Sequence, residues 1–163
     1  MKVLVGYMSQ TGNTKKVAEA IYSQIQADKE IKSLDEIKSL EGYDLAFIGF
    51  PVQGFGPAGN AKVFLEQHSA GKKLVLFVTH AVPEGYEELA GWLDKCKQAA
   101  AAGNVVGLFD CQGELSEAIA EVLKKSDDPK VVGFGNMRPG TMGQPDEARL
   151  ERARAFAREV MAK

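Results

Sequence analysis

The sequence predicts an α/β fold, in which the strands of a parallel sheet alternate with helices. Short apolar runs are separated by longer segments whose apolar residues recur at helical spacing, an order typical of strand–helix–strand units. The first apolar run leads through a hydroxyl-rich turn directly into such a helical segment. The 163 residues, 45% hydrophobic and 26% charged, suit a single domain with a buried core, and we expect residues 1–163 to form it.

The first half of the chain contains three predicted strands. Val3–Tyr7 predicts a buried strand, and the first helix follows at about Thr14–Ala27. Glu30–Ser33 predicts a strand at the edge of the sheet, because its charged residues make it too polar for the centre. Leu45–Pro51 is almost wholly apolar and predicts a central strand that ends at its proline.

The second half of the chain continues the alternation. Gly59–His68 predicts a helix, and the apolar run Lys73–Thr79 predicts the fourth strand. In Glu87–Ala102 the apolar residues fall on one stripe, which predicts a helix, and Val105–Asp110 predicts the fifth strand.

The last part of the chain is only partly assigned by its pattern. Helices are predicted at Leu115–Lys125 and Asp146–Ala162, each with a repeated apolar stripe. Between them, Ser126–Gln144 has no predicted secondary structure and would be unusually long for a plain connection in a compact domain. This segment could be a lid, a partner-binding loop or an irregular insertion before the last helix.

The turn after the first strand predicts a phosphate site, because a strand–turn–helix junction points backbone N–H groups and the positive end of a helix at one place. The candidate residues of this first loop are Ser9, Gln10, Thr11, Gly12, Asn13 and Thr14. Three hydroxyls with no charged residue before Lys15 suit a terminal monophosphate held by hydrogen bonds. The glycine patterns of nucleoside triphosphate and dinucleotide sites are absent. The alternative is an ordinary Ser/Thr cap on a surface helix.

The pattern S-x-T-G-N-T in this loop resembles the flavodoxin family, and Tyr43–Pro51 and Pro145–Glu147 resemble further segments of that family. The resemblance extends over nearly the whole chain. It implies that the first loop holds the phosphate of FMN. It also implies a flavodoxin-like three-layer sandwich around a five-stranded parallel sheet of order 2-1-3-4-5.

With that strand order, the loop after the third strand reaches the same edge of the sheet as the first loop. The candidate ring-binding residues of this second loop are Pro51, Val52, Gln53, Gly54, Phe55 and Gly56. Its glycines let the backbone approach the edge of a planar ring and adopt conformations closed to other residues. The resemblance implies a carbonyl here that can turn toward the flavin N5. The alternative is a plain turn with Phe55 folded inward.

A third loop, after the fourth strand, completes the predicted site. Its candidate residues are Thr79, His80, Ala81, Val82, Pro83, Glu84 and Gly85. Either His80 or the following Tyr86 could stack on the outer face of the ring. Flavodoxins typically place a Trp in the second loop, where this chain has only Phe55, and we expect the sole tryptophan, Trp92, to pack in the core.

Composition excludes several other classes of function. A net charge of −2 gives no expectation of binding nucleic acid or an anionic membrane. No apolar run approaches the roughly 20 residues of a membrane span, and the first residues lack signal-peptide features, so we expect a cytoplasmic protein. Cys96 and Cys111 have no CxxC spacing and suit buried reduced thiols. The chain lacks the nucleophile motif of a hydrolase, and its two histidines have no cysteine pair nearby, so we expect neither a hydrolase nor a metal site.

Three functions are compatible with these observations. The first is an FMN-binding electron carrier that shuttles electrons between a reductase and an acceptor protein. The second is an FMN-dependent reductase that passes electrons from NAD(P)H to a small oxidant such as a quinone. The third is a flavin-free interaction subunit with the same fold. No obvious nicotinamide-binding segment is present, which favours the carrier, and the oligomeric state stays open.

Overall fold

A computed structural model, which describes residues 1–163, contains a parallel sheet with helices packed on both faces. The strands are β1 (Lys2–Tyr7), β2 (Asp28–Ser33), β3 (Leu45–Gln53), β4 (Gly56–Pro57), β5 (Lys73–His80) and β6 (Asn104–Gln112). The helices are α1 (Asn13–Gln24), α2 (Gly59–His68), α3 (Leu89–Ala99), α4 (Glu117–Lys124), α5 (Pro129–Asn136), α6 (Arg138–Thr141) and α7 (Glu147–Met161). No helix combines the length and the apolar character needed to cross a membrane.

The five long strands lie in the order β2-β1-β3-β5-β6, and every neighbouring pair is parallel. The predicted fourth and fifth strands are β5 and β6, because the short β4 takes a number of its own. The observed order is therefore the predicted order 2-1-3-4-5, and the predicted α/β sandwich is confirmed. The difference is β4 itself: Gly56–Pro57 pairs antiparallel with the end of β3, which makes the sheet six-stranded. The strand order reverses between β1 and β3, where open parallel sheets bind ligands.

Alternate side chains of the central strands enter two separate cores. In β5, Leu74, Leu76 and Val78 pack with residues of α2 and α3, whereas Val75 and Phe77 pack with residues of α1 and α7. All five side chains are buried. This two-sided burial explains why the run is continuously apolar rather than alternating.

Gly49 in β3 is required by the packing of its neighbour β5. A Cβ atom at this position would lie 1.9 Å from Cε2 of Phe77. Glycine therefore lets the Phe77 ring lie directly against the backbone of β3, two residues before Pro51, where the second loop begins.

The unassigned segment Ser126–Gln144 contains two helices, α5 and α6, rather than an irregular insertion. The side chain of Asp128 caps α5, and Pro129 occupies its first turn, both ordinary signals for the start of a helix. A Cβ atom on Gly135 would lie 2.8 Å from the carbonyl oxygen of Ala120, so glycine permits the close approach of α5 to α4. The last strand and α7 are thus joined by a packed helical insertion.

Candidate functional site

One cavity of about 580 Å³ lies at the carboxyl edge of the sheet, beyond the ends of β1, β3, β5 and β6. Its lining includes most of the predicted site: Ser9, Gln10, Thr11, Asn13 and Thr14 from the first loop, Pro51, Val52, Gln53, Gly54 and Phe55 from the second, and Thr79, His80, Ala81 and Val82 from the third. Gly12, Gly56, Pro83, Glu84 and Gly85 lie outside this lining. The structure thus brings all three predicted loops to one space.

The backbone of the first loop leaves hydrogen-bond donors without partners. Gly12 has a φ of 95°, a left-handed conformation that favours glycine, and its N–H donates to Oγ of Ser9 at 3.0 Å. The N–H groups in the first turn of a helix have no acceptor within that helix. Those of α1, beginning at Asn13, therefore form the positive end of a helix dipole where the first loop lines the cavity.

The three hydroxyls of the first loop have different surroundings. Oγ of Ser9 accepts a hydrogen bond, which leaves its proton available, and Thr11 is exposed. Oγ1 of Thr14 lies 2.8 Å from Oγ1 of Thr79, and both residues are buried. Ser9 and Thr11 can therefore donate to an anion without breaking an existing bond, whereas Thr14 already links the first loop to the third.

Two side-chain amides connect the first loop to its neighbours. Nδ2 of Asn13 donates to the carbonyl oxygen of Glu114, just after β6, at 2.8 Å. Nε2 of Gln53 in the second loop donates to Oε1 of Gln10 at 2.9 Å. These bonds fix the spacing of the loops around the cavity.

The second loop is a two-residue hairpin between β3 and β4. Gln53 pairs with Gly56, and the central residues Gly54 and Phe55 have φ values of 61° and 66°. Positive φ at both central positions defines a type I′ turn, which normally carries Asn or Gly there. Phe55 is the only non-glycine residue of the chain with positive φ, and the residue is 39% exposed. Such a strained and exposed aromatic residue points to a role in binding.

Phe55 belongs to an aromatic cluster with Tyr86, Trp92 and Phe134. The ring centroids of Phe55 lie 5.3 Å from Trp92 and 5.7 Å from Phe134. Trp92 is 8% exposed, but it packs in a small cluster with Val82 and lines the cavity, separate from the two main cores. Trp92 is therefore buried in a hydrophobic core cluster, as expected, and this cluster also borders the cavity.

Of the two residues proposed to stack on the outer ring face, His80 is buried and Tyr86 is half-buried against other rings. The side chain of His80 is 1% exposed, and its Nδ1 and Nε2 lie 2.7 Å from the carbonyl oxygen of Val82 and 2.8 Å from Oδ2 of Asp110. Tyr86 packs against Trp92 and Phe134, at centroid distances of 5.8 and 6.0 Å. His80 instead fixes the course of the third loop.

Glu84 anchors the far end of the third loop to α7. Its carboxylate accepts hydrogen bonds from the backbone N–H of Gln112 and from Nε and Nη2 of Arg149, the last at 2.8 Å. Burial acts to raise the pKa of Glu84, but the bonds from Arg149 and Gln112 outweigh it and hold this pKa below its ordinary value. Glu84 is therefore an ionised tether and does not line the cavity.

The helical insertion supplies walls that the sequence pattern did not indicate. Beyond the three loops, the cavity is lined by Trp92, Gly113, Glu114, Leu115, Ser116, Ile119, Leu123, Val131, Phe134 and Met137. The signal that could have found α5 was the Asp128-Pro129 pair at its start, which the glycines of the helix obscured.

Both cysteines are buried away from any nucleophilic role. Burial raises the pKa of Cys96 and of Cys111 to about 12, so both thiols stay protonated at neutral pH. This agrees with the expectation of buried reduced thiols.

The chain matches known proteins over nearly its whole length. A family model described as a flavodoxin domain matches residues 4–158. A relative from Clostridioides difficile (strain CD3), "Flavodoxin-like domain-containing protein BilS", is 35% identical over 173 residues, which cover 100% of this chain and 98% of that protein.

Solved structures share the fold at lower identity. A flavodoxin from the domain Archaea has a TM-score of 0.61 and 16% identity, covering 99% of this chain and 97% of its own. A flavoprotein in complex with FMN from Lactobacillus acidophilus NCFM has a TM-score of 0.56 and 24% identity, covering 76% of this chain and 99% of its own. From the family match and the relative together, the chain belongs to the flavodoxin family.

Proposed function

We propose that this protein binds FMN noncovalently and carries electrons between a reductase and an acceptor protein. The observation that supports this most is the single cavity that gathers the first, second and third loops at the switch point of the sheet. The flavodoxin family and the FMN complex of the Lactobacillus neighbour agree with this cofactor. As part of the proposal, the protein works in the cytoplasm, where its two thiols stay reduced.

The first loop fits a phosphate that is held by hydrogen bonds rather than by ion pairing. The cavity lining contains no Lys or Arg. Ser9 and Thr11 would donate their hydroxyl protons, and the first N–H groups of α1 would add backbone donors at a helix N-terminus. A phosphate can be held in the first loop without a cationic side chain, because hydrogen bonds from hydroxyl and N–H groups to a charged acceptor are stronger than bonds between neutral groups.

The second and third loops fit a planar ring. Val52 and Phe55 from the second loop and Val82 from the third would offer apolar contacts to the ring. The hairpin of the second loop and the ring contacts with Trp92 and Phe134 hold Phe55 at the surface of the cavity. When bound, FMN would supply the redox chemistry, whereas the chain would orient the ring and control its access to water.

The carrier function has a direct test. The purified protein, loaded with FMN and kept anaerobic, should be reduced by dithionite or by a partner reductase, and only negligibly by NADH or NADPH. The bleaching of the visible flavin band measures this. Rapid stoichiometric bleaching by a nicotinamide, followed by turnover with an added quinone, would reject the carrier in favour of a reductase. Failure to bind FMN at all would favour a flavin-free interaction subunit.

A further inference from the structure

The backbone of the third loop is held at three successive carbonyl groups. The carbonyl oxygen of His80 accepts a hydrogen bond from the N–H of Gly113 at 2.8 Å. The carbonyl oxygen of Ala81 accepts one from Nε2 of Gln112, also at 2.8 Å. The carbonyl oxygen of Val82 lies 2.7 Å from Nδ1 of His80 itself. Because a carbonyl group can only accept a hydrogen bond, Nδ1 of His80 must carry a proton.

The other ring nitrogen of His80 faces a carboxylate. Nε2 lies 2.8 Å from Oδ2 of Asp110, in the neighbouring strand β6. The side chain of Asp110 is 26% exposed, so contact with water favours its ionised form. An ionised carboxylate can only accept a hydrogen bond, so Nε2 must carry a proton as well. A neutral imidazole has one N–H, and His80 therefore satisfies both acceptors only as an imidazolium ion.

The charged groups around His80 fit such a buried cation. They come from three elements: Asp110 of β6, Glu84 of the third loop, and Arg149 and Arg152 of α7. Both arginines pair with Glu84, at 2.8 and 3.5 Å, whereas Asp110 has His80 as its only ionic partner. The ionised Glu84 also attracts a positive charge on His80. The imidazolium form of His80 thus balances the charge of Asp110.

Val82 connects the protonation of His80 to the proposed FMN site. Val82 lines the cavity and packs against Leu89 and Trp92. Of the three donors to the carbonyl groups of this loop, only the ring of His80 can lose its proton near neutral pH. A neutral ring keeps one N–H, and the ionised Asp110 is a stronger acceptor than the carbonyl group of Val82. Loss of a proton to water therefore breaks the bond to Val82 rather than the bond to Asp110.

We propose that His80 is a positioning residue whose second ring proton holds the third loop in the conformation that binds flavin. Flavin affinity then falls when the pH rises and His80 becomes neutral. The flavin in this proposal rests on the proposed function. The two-proton state of His80 rests instead on its hydrogen bonds with Val82 and Asp110.

Nitrogen-15 NMR of the histidine rings counts the protons directly. At about pH 6 we expect protons on both Nδ1 and Nε2 of His80, and at about pH 9 a proton on Nε2 alone. The only other histidine, His68 of α2, lies outside the cavity lining, and His68→Gln assigns the two sets of signals. A His80 ring with the same number of protons at both pH values would overturn the proposal.

Flavin titrations over the same pH range test the consequence for binding. Riboflavin is the probe, because the phosphate of FMN itself changes charge at about pH 6. We expect the affinity for riboflavin to fall about three- to tenfold, as for one lost hydrogen bond, over the interval in which His80 loses its second proton. An affinity that stays constant while the His80 ring titrates would overturn the proposal.

A matched pair of variants separates this effect from other pH effects. In Asp110→Asn, the amide can donate to Nε2 of a neutral ring and leave the Nδ1 proton on Val82, so we expect riboflavin affinity to become independent of pH. Asp94→Asn removes the same charge at an exposed residue of α3 outside the cavity lining and should keep the original pH dependence. The same pH dependence in both variants would contradict the role of Asp110.

The two proposals fail separately. If neither FMN nor riboflavin binds, the proposed function fails, whereas the NMR titration of the unmodified protein still decides the protonation of His80. The fluorescence of Trp92, which packs against Val82, should then change in the apoprotein over the pH interval in which His80 titrates. Constant Trp92 fluorescence across that interval would show that the proton does not control the third loop. These measurements also decide the matter if Asp110→Asn does not fold.

Discussion

Two regions that border the cavity, the first loop and the aromatic cluster, are built in opposite ways. The first loop is one contiguous stretch, Ser9–Thr14, whose useful groups are backbone N–H groups and short hydroxyls at a helix N-terminus. The aromatic cluster is assembled from four distant positions, Phe55, Tyr86, Trp92 and Phe134, whose rings pack on one another. Ligand contacts and fold stability are therefore separable at an exposed residue of the first loop such as Thr11, whereas they are coupled in the aromatic cluster.

The largest expected effect is a loss of stability when the aromatic cluster is disrupted. Trp92→Ala removes a buried ring that contacts the other three members of the cluster, and we expect it to lower the free energy of unfolding by about 3 kcal/mol. Chemical denaturation followed by circular dichroism measures this. Val122→Ala, at a side chain that is 70% exposed, is the control and should change stability little. A Trp92→Ala protein as stable as the control would show that the aromatic cluster does not stabilise the fold.

At Thr11 in the first loop, FMN affinity should change without a change in the free energy of unfolding. Thr11→Ala removes an exposed hydroxyl, so we expect FMN affinity to fall about tenfold or more, as for a lost charge-assisted bond of about 1.5–3 kcal/mol, while the unfolding free energy stays the same. Riboflavin, which lacks the phosphate, should lose almost no affinity. An equal loss for both ligands would show that Thr11 does not contact phosphate.

Thr14 provides the contrast within the same loop. Thr14→Ala leaves the buried hydroxyl of Thr79 without its partner at 2.8 Å, so we expect this change to cost about 1–3 kcal/mol of stability as well as FMN affinity. Denaturation of the apoprotein distinguishes Thr14→Ala from Thr11→Ala. Identical unfolding curves for the two variants would contradict the hydrogen bond between the first and third loops.

Phe55 tests whether backbone strain and ring contact can be separated. Its φ of 66° is costly for any residue except glycine, so we expect Phe55→Gly to be about 1 kcal/mol more stable than Phe55→Ala. Both variants lack the ring and should lose FMN affinity to a similar degree. Thermal unfolding and FMN titration of the pair measure the two effects, and a more stable alanine variant would argue against the type I′ turn.

The smallest expected effect concerns the tether of the third loop. The pKa of Glu84 is lowered in the folded protein, so its stabilising contribution is present above the unfolded value near 4.5 and is lost as the pH falls through the lowered folded pKa. Glu84→Gln should therefore destabilise the protein near neutral pH and flatten the loss of stability below about pH 4.5. Parallel acid unfolding curves for the variant and the unmodified protein would contradict this.

The first loop was predictable from the sequence because it is one contiguous stretch. The aromatic cluster was not, because its four members are distant along the chain. Ser9–Thr14 carries its geometry in its own pattern, since a turn between a buried strand and an amphipathic helix can expose donors in few ways. The relation of Trp92 to Phe55 and Phe134 depends instead on tertiary packing across separate elements. The sequence predicted that Trp92 lies in a helix and packs in the core, but it carried no signal that this part of the core borders the cavity.

The same distinction holds for the fold. The central strands were predicted because burial on both faces makes them continuously apolar, as in β5. The short β4 escaped prediction because its two residues, Gly56–Pro57, form a strand only by pairing with β3. Helix α5 escaped because its glycines are poor helix formers, and the position of Gly135 reflects contact with α4 rather than local preference.

If the three loops that line the cavity hold one FMN molecule, as we propose, the single tryptophan provides a direct readout. Trp92 lines the cavity, so FMN titrated into the apoprotein should quench its fluorescence saturably at one equivalent. Riboflavin should quench to a similar extent with at least about tenfold weaker affinity, because it makes no bonds to the first loop. Unquenched Trp92 fluorescence in the presence of FMN would contradict the placement of FMN in this cavity. Equal affinities for FMN and riboflavin would contradict phosphate binding by the first loop.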